Sequence, residues 1–220
     1  VRHAQNDLIG WQLSILGTTY AVILGFMLYT VWTNFGAAEV NANLEASALR
    51  NLYLLSRALP DPQHRQMQTL CSSYARSVID HDWPEMANAE IPDETREMNL
   101  DLWTTLMSVK PTSMAENLAE DHAISELNSL TDHRRTRILQ SQDRVPTVLW
   151  FVLIVGAIVT IASCSLFGAT SILLHSIQVF FFSLLITLVL LAIADINRPF
   201  MGSVHISNYA FQRALEYMHD

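Results

Sequence analysis

The sequence predicts an all-α integral membrane protein with a helical polar region between its first and second membrane crossings. Only 15% of the 220 residues are Asp, Glu, Lys or Arg and 50% are hydrophobic, whereas about a quarter of an ordinary soluble domain is charged. The charges are also segregated, with none between Asp7 and Glu39 and none between Arg144 and Asp195. A spanning helix needs about 20 apolar residues, so the first gap holds one crossing and the second holds two. In the polar stretch between the gaps, apolar residues recur at helical rather than strand spacing.

The first crossing is read over residues 8–33, with Trp11 and Trp32 near its ends, where amphipathic rings favour the headgroup region. It is too long, and too rich in Gln12, Ser14, Thr18, Thr19 and Thr30, for a signal-peptide core. The polar region covers residues 34–144 and is read as helical throughout. Val40, Leu44, Leu49, Leu52, Leu55 and Leu59 mark a helix that stops at Pro60. Since only Gly36 interrupts the stretch from Phe26 to Pro60, it can continue the first crossing as one rod. About fifty continuous residues would reach roughly 75 Å. Asp61-Pro62 reads as an N-cap followed by proline at the first helical position, and Met67, Leu70, Cys71, Tyr74 and Val78 then mark a helix ending near Asp82. Met98, Leu102, Trp103 and Leu106 mark a short helix after Pro92-Asp93. Ser113 with Glu116 is a capping-box pattern for a last helix carrying Leu118, Ile124, Leu127, Leu130 and Ile138.

The second crossing is read over 147–168 and the third over 172–195, joined by a turn at Gly168-Ala169-Thr170-Ser171 into an antiparallel hairpin, with residues 196–220 as a tail. Arg134, Arg135, Arg137 and Arg144 precede the hairpin and Arg198 follows it, which places the polar region and the tail in the cytoplasm. The chain begins with Val1, so the expectation is three crossings, or four with an upstream segment. The location expected is a bacterial cytoplasmic (inner) membrane, multi-pass.

Several function classes are disfavoured. The formal charge is −8, and the stretch from Glu39 to Arg144 has ten basic against seventeen acidic side chains, so the basic footprint of nucleic-acid binding is missing. Cys71 lies in the polar region and Cys164 in an apolar run, so they read as buried small hydrophobes. No His-Glu-x-x-His, Gly-x-Ser-x-Gly, phosphate-binding glycine loop or Cys-x-x-Cys occurs. Asp80-His81-Asp82 reads as a solvated helix end rather than a metal site, and His3 with Asp7 as a surface pair. Asp195 and His175 stand at the boundaries of the third crossing, where each can reach the interface. The expectation is no enzyme, no metal and no cofactor.

The first crossing is more informative. Gly10, Ser14, Gly17, Ala21 and Gly25 fall on one stripe where another helix can approach closely. Beside them Thr18, Val22 and Phe26 stack at intervals of four. Three or four crossings cannot surround a wide aqueous path. The same row repeated around a symmetric ring would instead form a narrow hydrophobic constriction.

The stretch Tyr20-Ala21-Val22-Ile23-Leu24-Gly25-Phe26, then Trp32, Glu45-Ala46-Ser47-Ala48-Leu49 and Leu52-Tyr53, resembles the bestrophin-like membrane proteins of bacteria and plants, which are similar to bestrophin anion channels. Tyr74-Ala75-Arg76, Asp82-Trp83-Pro84, Arg135-x-Arg137, Pro146-x-x-Leu149-Trp150 and Arg198-Pro199-Phe200-Met201-Gly202 extend the resemblance over nearly the whole chain. It implies a homo-oligomer, as a pentamer, with passive permeation of small anions such as chloride through a central neck at Thr18, Val22 and Phe26. Two departures stand out. Met201 separates Phe200 from Gly202, and Ser203-Val204-His205-Ile206 lacks acids, so the family's calcium clasp is not carried over. The competing expectation is a non-conducting membrane scaffold or interaction protein, in which the small-residue stripe only closes a helix bundle.

Overall fold

The computed structural model describes residues 2–166 and 171–219, with side chains from residue 10 onward. The helices are α1 (Arg2–Ser56), α2 (Gln63–Ser77), α3 (Trp83–Ala87), α4 (Glu94–Met107), α5 (Met114–Gln142), α6 (Thr147–Ser165), α7 (Ile172–Ile196) and α8 (Tyr209–His219), and a π-helical turn, Val78–Asp82, joins α2 to α3. No strand occurs among the described residues. The chain forms two compact units: Val1–Phe35 with Arg144–Asn197, and Gly36–Asp143 with Arg198–Asp220.

The 55 residues of α1 form one helix, about 80 Å at 1.5 Å per residue. Its last turn tightens through Arg57 N–H to Leu54 O, Ala58 N–H to Leu55 O and Leu59 N–H to Ser56 O, which occupy carbonyls a helix end would otherwise leave open. Helix α2 then starts one residue later than the sequence suggests. Pro62 rather than Asp61 stands at the N-cap and supplies no side-chain cap, while Asp61 faces Arg65 at 3.5 Å.

The second polar helix does not end near Asp82. The chain keeps right-handed helical dihedrals through Val78 and Trp83 and continues as α3. The cause is Pro84, which has no N–H for the Asp80 carbonyl and whose ring would crowd it, so the turn ahead widens to π geometry. At α5, Ser113 Oγ accepts the Glu116 N–H at 3.2 Å, and Glu116 returns the contact to Thr112 N–H at 2.7 Å, one residue before the cap. That bond and the Thr112 hydroxyl hold the Glu116 carboxyl below its ordinary range.

Burial on the polar helices differs in part from the expected faces. Val40 and Leu44 are exposed, and α1 instead buries Ala38, Ala42, Ala46, Leu49 and Leu52. Leu118 is exposed on α5, where Ala119, Ala123, Leu127 and Leu130 are buried.

Three helices, α1, α6 and α7, are long and apolar enough to cross a membrane. Their shared core holds Tyr20, Leu24 and Val31 of α1, Leu153 and Ala157 of α6, and Ile186 and Ile193 of α7. Their outer faces are equally apolar, with Phe151 and Ile158 of α6 and Phe180, Leu185 and Leu191 of α7 exposed. Apolar surface on both sides suits a lipid surround. Several hydroxyls on these helices bond to carbonyls one turn back: Thr30 to Phe26, Thr160 to Gly156, Ser183 to Val179 and Thr187 to Ser183, so these four need no water. Asn197 Oδ1 accepts the Val145 N–H at 3.1 Å, tying the entry of α6 to the exit of α7. Of the expected hairpin turn, residues 168–170 lie outside the described residues, and Ser171 caps α7 through the Leu174 N–H.

Helices α1 and α6 pack closely at Gly156. The Tyr20 hydroxyl donates to the Leu153 carbonyl at 2.8 Å, which draws the ring so near that a Cβ on Gly156 would stand 2.6 Å from Tyr20 Cε2. Gly156→Val is therefore expected to destabilise the protein by about 1–3 kcal/mol through overpacking, and Tyr20→Phe by about 1 kcal/mol through one lost hydrogen bond. Thermal unfolding in detergent measures both, and a melting temperature unchanged by Gly156→Val would refute the contact.

Candidate functional site: an outward face and a buried arginine cluster

Two features of the sequence have functional potential, and they lie in different units. In the first unit, α1 turns Tyr20, Leu24 and Val31 inward and the Thr18, Val22 and Phe26 row outward, with Val22 51% and Phe26 67% exposed. Tyr29 and Thr33 extend the exposed surface by further turns. The small-residue stripe lies alongside: Ser14, Ala21 and Gly25 are exposed, and Gly10 and Gly17 half-buried. Among the described residues, no atom outside the helix's own neighbouring backbone lies within 4 Å of where a Cβ would stand on Gly17 or Gly25, so no described helix packs closely at either glycine. A close helix approach among the described residues is instead at Gly156 on α6, away from the stripe that the sequence suggests. Its signal was the pair Gly156 and Thr160, small residues one turn apart on α6.

In the second unit, three ionisable side chains meet with no solvent exposure at all: Arg137 of α5, Glu45 of α1 and Asp82 of the π turn. Arg137 Nε donates to Glu45 Oε2 at 2.7 Å and Nη2 to Glu45 Oε1 at 3.1 Å, a bidentate fork. Nη2 also reaches Asp82 Oδ2 at 2.7 Å. The Tyr74 hydroxyl donates to Glu45 Oε1 at 2.8 Å. Thr95 Oγ1 donates to Asp82 Oδ2 at 2.9 Å and itself accepts from Arg134 Nε at 2.8 Å. The guanidinium carbon lies 5.4 Å from the Trp83 ring centre and 6.0 Å from that of Phe211. Asp82 Oδ1 is buried without a hydrogen-bond partner.

Two carboxylates therefore face Arg137 directly, and Arg134 stands one hydroxyl away. Burial by itself would pull the Arg137 guanidinium down, but the charges of Glu45 and then Asp82 outweigh it and hold the group above its ordinary value. Burial, and after it the charge of Glu45, pushes the Tyr74 hydroxyl well above the usual phenol range, so it remains a neutral donor.

The stretch after α7 is fastened to the same cluster. Trp83 Nε1 donates to the Ile206 carbonyl at 3.0 Å, and the Trp83 ring meets Phe200 edge-on at 5.5 Å. The loop closes through Ile206 N–H to Pro199 O at 2.7 Å. Gly202 takes φ +84°, a left-handed conformation that glycine adopts without a steric penalty.

Asp80-His81-Asp82 is thus only partly a solvated helix end. Asp80 and His81 are on the outer side, with His81 exposed and 3.3 Å from Glu94, but Asp82 is buried and paired because the turn aims it inward. The signal for this was present. Met67, Cys71, Tyr74, Val78 and Asp82 continue one buried face at helical spacing, and Arg137 follows Leu127 and Leu130 in the same way on α5. Cys71 is fully buried, and burial pushes its thiol up, while Cys164 is half-buried and also free. Among the described residues, no group of three or more His, Cys, Asp or Glu side chains could hold a metal ion. His175 is half-buried, and the side chains of His3 and Asp7 lie outside the described residues.

The apolar spans and the helical polar unit define a helical membrane protein. The chain belongs to the Bestrophin-like family, whose domain model matches residues 1–211. Among solved structures, it is similar in fold to a point variant of a bacterial bestrophin homologue from Klebsiella pneumoniae, at a TM-score of 0.75 and 16% identity over 94% of this chain and 87% of that one. A second variant of that homologue gives a TM-score of 0.69 at 17% identity over 98% of this chain and 91% of the other. No curated protein matches this chain in sequence. Glu45, Tyr74, Asp82, Trp83, Arg137 and Phe200, which come from five of the stretches carrying the sequence resemblance, all meet at the buried cluster.

Arg137→Met leaves two carboxylates buried and unpaired, and is expected to cost about 3–5 kcal/mol, measured as a fall in melting temperature. Asp82→Asn is expected to be tolerated better than Glu45→Gln, because Glu45 uses both oxygens and Asp82 only one. The reverse order of melting temperatures would contradict this ranking.

Proposed function

We propose that the chain is one subunit of an oligomeric channel, a pentamer, that passes small anions such as chloride passively along a central axis. The observation that carries this reading is the uncharged outward row of Thr18, Val22 and Phe26 on α1 in a chain of the Bestrophin-like family. Copies of α1 around a symmetry axis would bring these rows together, and the neighbouring small residues would let the helices approach closely. The throat so formed is apolar. Ions would cross it by partial dehydration, and a narrow apolar ring gates by dewetting. Thr18 hydroxyls and the electropositive edges of the Phe26 rings would favour anions without a fixed cation in the constriction.

The reading places residues 36–143 and the tail in the cytoplasm of a bacterium. Arg134, Arg135 and Arg144 before α6 and Arg198 after α7 support that orientation in the inner membrane. It assigns the chain no enzymatic step, cofactor or nucleic-acid partner.

Mass measurement of the detergent-purified protein and chloride efflux from proteoliposomes test the reading together. A five-subunit particle with efflux above empty vesicles is expected. Phe26→Ala and Val22→Ala should each change efflux several-fold by widening the throat. A monomer or dimer excludes a central path, and a sealed pentamer leaves the scaffold reading. Unchanged efflux and ion preference in both variants would remove these residues from the neck.

A further inference from the structure

Helix α8 closes onto the second unit through the Tyr53 hydroxyl, which donates to the Met218 carbonyl at 2.9 Å. Beside that contact, a groove of about 390 Å³ runs between Asn43, Ser47 and Arg50 of α1 and Tyr209, Arg213 and Tyr217 of α8. That volume is in the range of small-molecule sites. The surroundings are acidic, since residues 36–143 with 198–220 carry 11 basic against 19 acidic side chains. The groove reverses this balance, with two arginines and a single lining carboxylate, Glu216. That carboxylate is already taken by Arg213 Nη1 at 3.0 Å.

Arg50 makes none of the ion pairs among the described residues. Its guanidinium lies over the Tyr217 ring at 5.7 Å. Stacking occupies a face of the planar cation and leaves its in-plane N–H fork for an anion. Two turns further on, just past the end of α1, Arg57 repeats the arrangement over Tyr53 at 5.5 Å, also without an ion pair among the described residues. A carboxylate is satisfied by one fork. A phosphate monoester has three outer oxygens and up to two charges, and so can engage Arg50 and the remaining N–H groups of Arg213 together.

We propose that this groove binds a phosphate monoester, its phosphate held by Arg50 and Arg213 and its body lying against Tyr217. The site is independent of whether the neck conducts. The monoester can be a soluble metabolite or a lipid headgroup, and the two sources are separable. The full chain, delipidated in detergent, is titrated with AMP, with phosphatidic acid and with phosphatidylcholine as the diester, zwitterionic control, and the melting temperature is followed. AMP or phosphatidic acid should raise it, with Arg50→Gln weakening the apparent affinity about tenfold and Arg96→Gln, an exposed arginine outside the groove, leaving it unchanged. A response to AMP alone supports a soluble ester, and one to phosphatidic acid alone a headgroup. No response to either, or equal affinity in Arg50→Gln, overturns the proposal. So does loss of the oligomer in Arg50→Gln without a response to phosphate, which makes the groove a subunit contact. Should Arg50→Gln not fold, Arg213→Gln, at an exposed side chain of α8, must give the same loss of affinity for the proposal to stand.

Discussion

A fully buried guanidinium holds the polar unit together. Arg137 shares no surface with water, and its donors are met by Glu45 of α1, Asp82 of the π turn and the Met86 sulfur of α3. Such a cation is stable only if its counter-charges are fixed at bonding distance. The positions of α1, of the π turn and α3, and of α5 are therefore mutually dependent. Trp83 and Phe211 cover the cation, and Trp83 in turn holds the loop at Ile206, so the stretch following α7 joins the same assembly. A hydrophobic core of equal size would tolerate sliding of one helix on another by a turn. A bidentate ion pair whose carboxylate oxygens also accept from a tyrosine and a threonine does not, because each displacement strands a buried charge.

The membrane unit solves a different problem. Lipid is as apolar as leucine, so burial supplies little drive for one helix to choose another, and contact depends on shape and on the few polar groups present. Tyr20 supplies both. Its hydroxyl must find an acceptor in an apolar surround and finds the Leu153 carbonyl, while its ring fills the space that Gly156 leaves open. Thr160, Ser183 and Thr187 bond within their own helices, and the outer faces of α6 and α7 are largely apolar.

The spans, and the helical nature of everything between them, were legible because a stretch long enough to cross a bilayer and free of charge is rare in a chain surrounded by water, and because proline positions end helices by sterics that need no tertiary context. Pro84 is instructive in the opposite sense. Its effect is local, yet the helix runs on through a π turn into α3 where the sequence suggests a stop near Asp82. The site was half legible. The exposed row on α1 can be drawn from spacing alone, whereas Asp80-His81-Asp82 reads as solvent-facing although Asp82 is buried. The buried faces on which Asp82, Glu45 and Arg137 fall were visible, but nothing local says that three charges distant in sequence will neutralise one another.

By itself, then, the sequence determined the membrane spans, the helical class and the family motifs, since these follow from hydrophobicity, helical period and residue identity along a single strand of chain. Only the tertiary structure decided that residues from five of those motifs share one buried ion-pair cluster, that Val40 and Leu44 stay exposed while alanines line the core, and that the groove beside α8 gathers arginines in an acidic unit. Charge pairing and burial are properties of distances in space, and spacing along a helix fixes them only among neighbours of a turn or two.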